Sequence, residues 1–438
     1  MKRRTWQIPL WVALALLLGA LPAQAVVRMQ CPATLLTDGT GPGGVRLDPT
    51  TGFPSGETDN AAVVCIHLAA GDGFINMADK LRFPNGGRSQ YIFSFANVTG
   101  VPDNDVLAVG QLGANFSAPT IRVKEGQDLY LTLTNVGMIM RVDLFDPHSV
   151  HYHGFPNAAP IFDGVPDSSP VAVPGASFTY FYRNVDAGTY LWHCHVEATE
   201  HMQMGMLGSL YVRPIQDDNA ALLNLGAARP VGTPFAGFAY NDCLPGLDNT
   251  LCGSTGYDVD YPIQVGAFDS NFHELHLAIQ PLPFAAMDDD YPMFNGRGYP
   301  DTTIAGPMPP PVDNDGAEVN GGKPSQNVST LIQATQGQRV LLRISSLSTT
   351  SFHSIEVLGI PMTVVGKDAR LLSGPGGINL SYRANSVNLG GGQSADVILD
   401  TEGVAPGTYF VYARELNHLN NKDERFGGMM AEIRIAAP

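Results

Sequence analysis

The chain has 438 residues, enough for two or three domains, of which 44% are hydrophobic and 15% charged. Its formal net charge of −16 argues against nucleic acid and anionic lipid as partners, because both repel an acidic protein. After the first 25 residues no run is long and apolar enough to cross a bilayer, which excludes a helical membrane protein.

Residues 1–25 read as a secretory signal peptide. Lys2, Arg3 and Arg4 form the positive start, residues 8–20 the apolar core, and Ala23-Gln24-Ala25 the small-residue cleavage site. The Arg3-Arg4 pair fits a twin-arginine route, and the long apolar core fits general secretion equally well. Either predicts an exported protein, periplasmic or extracellular. Cleavage removes three positive charges and takes the net charge to −19 (−16 − 3).

Residues 26–88, rich in Gly, Asp and Thr, predict an irregular N-terminal extension with a few strands. From residue 89 to about 214 the pattern changes to short runs such as IFSF, TIRV, LYLTLTNV and FTYFYRNV, separated by Gly, Asp and Asn turns. Runs of β-branched and aromatic residues at this spacing predict antiparallel strands in a β-sandwich. Residues 215–262 read as a connector, with a short helix near 218–226. A second β-rich part follows over 263–438, interrupted by a long Gly/Pro/Asn loop at 305–328. The run HELHLAIQ reads here as a strand, which would put His273 and His276 on opposite sides.

The two β-rich parts repeat each other. Gly126-Gln127 matches Gly337-Gln338, and His148-Ser149-Val150 matches His353-Ser354-Ile355. Gly188-Thr189-Tyr190 matches Gly407-Thr408-Tyr409, and Gly205-Met206 matches Gly428-Met429. Two copies of one sandwich explain this. In an oxidising compartment the five cysteines predict Cys31–Cys65 and Cys243–Cys252 disulfides, with Cys194 left free.

Cys194 lies between His193 and His195, with His201 seven residues and Met206 twelve residues further on. Upstream, DPHSVHYHGF carries His148, His151 and His153. Two imidazoles, one thiolate and a weak thioether are the ligands of a blue-copper centre. The chain has only 11 histidines, so two such clusters are hard to obtain by chance.

These motifs resemble those of the multicopper oxidases, over about residues 89–438. The resemblance implies an all-β protein of two cupredoxin-like Greek-key sandwich domains and a copper cofactor. It assigns His148, Cys194, His201 and Met206 to a blue type 1 copper. It assigns His151 to a type 2 copper, and His153, His193 and His195 to type 3 copper. The five-residue interval from His201 to Met206 is the family's usual one, whereas the Cys-to-His gap is longer than in three-domain laccases and implies a bulged loop. It further implies electron withdrawal from a reduced substrate, a phenol or a metal ion, with O2 as acceptor.

The second half departs from the pattern. Glu356 and Leu358 stand where His151 and His153 stand in the first, and Tyr412, Ala413 and Arg414 stand where His193, Cys194 and His195 stand. The family's trinuclear cluster takes eight histidines from two domains, and here the second half offers none at the matched positions. An oligomer pairing two first domains face to face would supply eight. The same loss favours an alternative, a blue-copper electron carrier without oxidase turnover. Nitrite reduction fits poorly, because its third type 2 histidine falls near Leu358 and its catalytic Asp at His151.

His353, His418 and Met429 keep a blue-site outline without a thiolate; such a His2Met set could hold copper(I), and they read first as a relic of duplication. Glu197 and Glu200 beside the cysteine loop, and Asp288, Asp289 and Asp290 with Met287 and Met293, are candidate cation-attracting groups; each is also explained as a solvated turn. His67, Tyr190 and Trp192 read as structural.

Overall fold

The computed structural model describes residues 29–31, 63–79, 88–156, 158–243, 250–313 and 315–438. The expected signal segment lies outside the described residues. Two sandwiches make up the fold, each of two facing sheets.

In the first sandwich, one sheet has the order β2-β1-β4-β6: β2 (Ser89–Asn97), β1 (Val63–Asn76), β4 (Asp128–Gly137) and β6 (Ser177–Arg183). The other has the order β3-β8-β7-β5: β3 (Ala118–Lys124), β8 (Leu207–Arg213), β7 (Gly188–His193) and β5 (His151–His153). Strand β1 pairs parallel with β4 and antiparallel with β2. Leu68, Ile66, Phe93, Leu131, Tyr180 and Trp192 fill the space between the sheets.

Strand β1 is one of the strands expected within residues 26–88, but it lies in the first sandwich, ahead of that sandwich's expected start at residue 89. Its sequence, VVCIHLAAGDGFIN, is buried almost throughout. An inner strand covered on both faces reads as a continuous apolar run rather than an alternating one, and its two glycines look like turn signals. The first sandwich therefore begins by residue 63. Cys31 is bridged to Cys65 in this strand, and Cys243 to Cys252, as expected.

The second sandwich repeats this topology. Val259–Phe268 pairs parallel with Arg339–Ser346 and antiparallel with Tyr291–Phe294, as β1 does with β4 and β2. Gln393–Asp400 takes the place of β6. In the facing sheet Met430–Ala436, Gly407–Ala413 and His353–Leu358 follow the order of β8, β7 and β5. The strand beginning at Val259 shows that the expected connector ends before residue 262.

The run expected as strand HELHLAIQ lies instead in a helix, Ser270–Leu277, capped by the Asp269 side chain, which accepts from the Asn271 and Phe272 amides. An Asx cap before a short apolar-polar run selects helix over strand. His273 and His276 thus lie one turn apart on one buried face. His273 is bonded to the Tyr91 and Gln203 carbonyls at 2.6 and 2.9 Å, a structural role.

The two sandwiches join through Phe116, Leu191, Leu207, Phe268, Tyr291 and Leu347. Polar groups add to this seam. The Thr189 hydroxyl donates to Asp396 at 2.6 Å, and Ser394 donates to the Thr189 carbonyl at 2.7 Å. Arg343 is fully buried, 3.0 Å from Asp260 and stacked 4.6 Å over the Tyr211 ring.

Candidate metal centre

Strand β7 ends at His193, and the chain turns there to expose both sides of Cys194 to different surroundings. Trp192 packs directly over Gly208 of β8, where a Cβ would stand 2.6 Å from its Nε1. The longer loop between Cys194 and His201 is a helix, Ala198–Met204, which accounts for the bulge expected from the sequence. It carries His201 back beneath the cysteine and ends at Gly205, whose φ of 114° favours glycine.

On the inner side, His148, Cys194 and His201 are fully buried, with one ligating atom of each within 4.8 Å of the others. His201 Nδ1 lies 3.2 Å and His148 Nδ1 4.0 Å from Cys194 Sγ. Met206 is also fully buried; its N–H donates to the His201 carbonyl at 2.8 Å, and its carbonyl accepts from Cys194 N–H at 3.1 Å. Burial alone would push the Cys194 thiol up; His201 and His148 outweigh it and bring it down to about 5. A buried thiolate facing two imidazole nitrogens is a soft-to-borderline donor set suited to copper.

Asp146, which the sequence did not single out, lies behind both imidazoles. Its carboxylate is 3.2 Å from His201 Nε2 and 4.0 Å from His148 Nε2. Carboxylates in this position fix the tautomer and orientation of ligating imidazoles. Ser149 N–H donates to Cys194 Sγ at 3.4 Å.

On the outer side, the β5–β7 register sets His151 opposite His193. Ligating atoms of His151, His153 and His193 lie within 4.8 Å of one another. The His195 ring centroid is 5.1 Å from that of His151 and 5.7 Å from that of His193, beside this trio. His151 Nδ1 is bonded to the Asp163 carbonyl at 2.6 Å and His193 Nδ1 to the Cys194 carbonyl at 2.7 Å, which leaves their Nε2 atoms for a ligand. Burial holds His193 neutral, down to about 3, with the neighbouring His151, His153 and His195 adding to the effect. Uncharged imidazole is the form that ligates.

Among the described residues the second sandwich approaches this trio at His153, and its positions matching the trio carry no imidazole. Gly392, at φ 87°, approaches so closely that a Cβ would stand 2.8 Å from His153 Nε2. Its positions matching the first sandwich are spatially equivalent by register: Glu356 faces Tyr412 as His151 faces His193. Arg414 Nε lies 3.1 Å from Glu356, an ion pair where the first sandwich has two imidazoles.

Of the remaining candidates, Glu197 and Glu200 stay together: one ligating atom of each lies within 4.8 Å of the other and of His201, with Glu197 exposed and Glu200 also bonded to His276 at 2.8 Å. Asp289 accepts from Gln203 at 3.2 Å, and Asp290 accepts from the Ser270 hydroxyl at 2.6 Å and pairs with Lys422, so this acidic turn serves packing. His67 is bonded to Thr134 at 2.7 Å and is structural.

The multicopper oxidase family matches this chain over residues 96–217 and again over 287–431. Multicopper oxidase MCE of Talaromyces pinophilus is 32% identical over 26% of this chain and 18% of its own length. Copper resistance protein A of Pseudomonas syringae pv. tomato is 24% identical over 70% of this chain and 44% of its own. The chain thus spans less than half the length of these relatives. Among solved structures, the blue copper oxidase of Nitrosomonas europaea superposes with a TM-score of 0.56 at 22% identity, covering 85% of each chain, which shows a shared fold.

Proposed function

Because this chain belongs to the multicopper oxidase family, whose members bind copper, we propose that it is an exported copper oxidoreductase. It draws single electrons from a small reduced substrate, a phenol or a low-valent metal ion, and passes them to O2. His148, Cys194, His201 and Met206 hold the blue type 1 copper in this reading, and His151, His153, His193 and His195 hold the further copper. Copper, when bound, supplies the one-electron redox chemistry.

The observation that carries the reading is the placement of two donor groups on either side of one tripeptide, His193-Cys194-His195. The thiolate faces a buried His148–His201 pair, while the flanking imidazoles join His151 and His153. A covalent path therefore links the two groups. The chain's residues do the rest: Asp146 stands behind the His201 imidazole, burial excludes water, and the Ser149 N–H on the sulfur tunes its donor strength. The two disulfides and the leader-like residues 1–25 support export.

A second reading, a blue-copper electron carrier, is favoured by the Glu356–Arg414 pair in place of the partner imidazoles. In the oxidase reading, two first sandwiches face each other in a homo-oligomer and together supply eight histidines. Copper stoichiometry with electron paramagnetic resonance, wild type against His151→Ala, tests the point. The oxidase reading predicts that His151→Ala loses copper and the non-blue signal while the blue signal stays. An unchanged copper count and spectrum sinks it, and a blue protein that takes up no O2 with a phenol is a carrier.

A further inference from the structure

The second sandwich repeats the frame of the inner metal site closely. In the first, Cys194 N–H donates to the Met206 carbonyl at 3.1 Å, and Met206 N–H to the His201 carbonyl at 2.8 Å. In the second, Ala413 N–H donates to the Met429 carbonyl at 2.9 Å, and Met429 N–H to the His418 carbonyl at 2.9 Å. Gly205 and Gly428 both take positive φ just before the methionine. His353 and Met429 are fully buried and His418 nearly so.

The imidazoles converge. His353 Nδ1 and His418 Nδ1 are 3.1 Å apart. Two nitrogens each about 2.0 Å from one ion, at roughly 100° to each other, stand about 3.1 Å apart.

Ala413 removes the thiolate, but a negative charge returns two residues later. Ser149 N–H donates to Cys194 Sγ in the first sandwich, whereas its counterpart Ser354 N–H donates to both carboxylate oxygens of Glu415, each at 3.1 Å. Glu415 Oε2 stands 3.8 Å from His418 Nδ1. The same backbone donor thus holds an anion in both sandwiches, a sulfur in one and a carboxylate in the other.

We propose that the second sandwich carries a metal site of its own, formed by His353 and His418 with Met429 alongside and the Glu415 carboxylate beside His418, which takes a divalent first-row cation. Copper(II) binds ahead of zinc(II) at such nitrogen and oxygen donors. Without a thiolate the site has no intense blue colour. It takes up the metal-binding alternative to the relic reading of His353, His418 and Met429, and it is independent of the oxidase assignment.

The test titrates copper(II) into the metal-free full chain carrying Cys194→Ser, with and without His418→Ala. The site predicts one copper equivalent fewer with His418→Ala, and binding at least tenfold weaker with Glu415→Gln. Equal stoichiometry with and without His418→Ala overturns it. Because His418→Ala alters a buried residue, a gain of function is the second arm: adding Ala413→Cys to the Cys194→Ser chain restores blue absorbance, now from the second sandwich. A colourless Ala413→Cys protein with no gain in copper affinity overturns the proposal, whatever the first sandwich binds.

Discussion

The first and second sandwiches share strand order, register and turn positions, yet the second keeps only His353, His418 and Met429 of the side chains that could meet a ligand. His151 opposite His193 becomes Glu356 opposite Tyr412, and Cys194 becomes Ala413. The frame around the lost cysteine stands all the same, with both backbone hydrogen bonds to the methionine in place. The fold is therefore set by buried apolar strands such as Leu342, Val397 and Ile433, and the metal-ligating residues are additions that the sandwich can lose without collapse.

The comparison yields predictions in descending order of effect. Replacing Cys194 by Ser should abolish the blue band entirely while the chain stays folded, as Ala413 stands in the sister site; visible absorbance and circular dichroism report both. A Cys194→Ser chain that remains blue breaks the comparison.

The next largest effect is on stability at the seam. Arg343→Met removes the cation shared by Asp260 and, 3.9 Å away, Asp396. Arg343 is fully buried but Asp260 is 21% exposed, so the loss is at most the about 3–5 kcal/mol of a fully buried pair, readable by denaturant titration. A loss below 1 kcal/mol, the size of a surface pair, would show that the seam does not depend on this charge.

Gly392→Ala should act more locally. It forces a Cβ toward His153 Nε2 at a positive-φ position, costing about 1–3 kcal/mol. It should deplete the non-blue copper while leaving the blue band intact. Equal loss of both would mean that the second sandwich does not touch the cluster selectively.

The last effect is with pH. Burial lowers His67 and His273 from the ordinary 6.5 to about 4 each, so folding favours their neutral forms. The stability this gives is fully present above pH 6.5 and is lost as pH falls toward 4. Melting temperature of the metal-free protein should decline across that window, and less so in His273→Gln than in wild type. Identical slopes would contradict the assignment.

Much of this was legible in the sequence because cysteine-histidine spacing and period-two runs carry their signal locally. The repeat of Gly188-Thr189-Tyr190 as Gly407-Thr408-Tyr409 aligned the sandwiches correctly, and strand register bore out the match of Glu356 and Tyr412 to His151 and His193. What escaped was non-local or ambiguous. Val63–Asn76 is buried on both faces and so lacks alternation. The Ser270–Leu277 helix is too short for periodicity to outweigh its flanking strand-like residues; the Asp269 cap was the available clue. Asp146 is two residues before His148, yet its approach to His201 depends on folding, as does Glu415 reaching Ser354.

The most direct measurement is an anomalous difference map at the copper absorption edge from crystals of the copper-loaded protein. The account predicts one peak bounded by His148, Cys194 and His201, another among His151, His153 and His193, and, if the second sandwich also binds, a third between His353 and His418. Bound copper with no peak at Cys194 would contradict it.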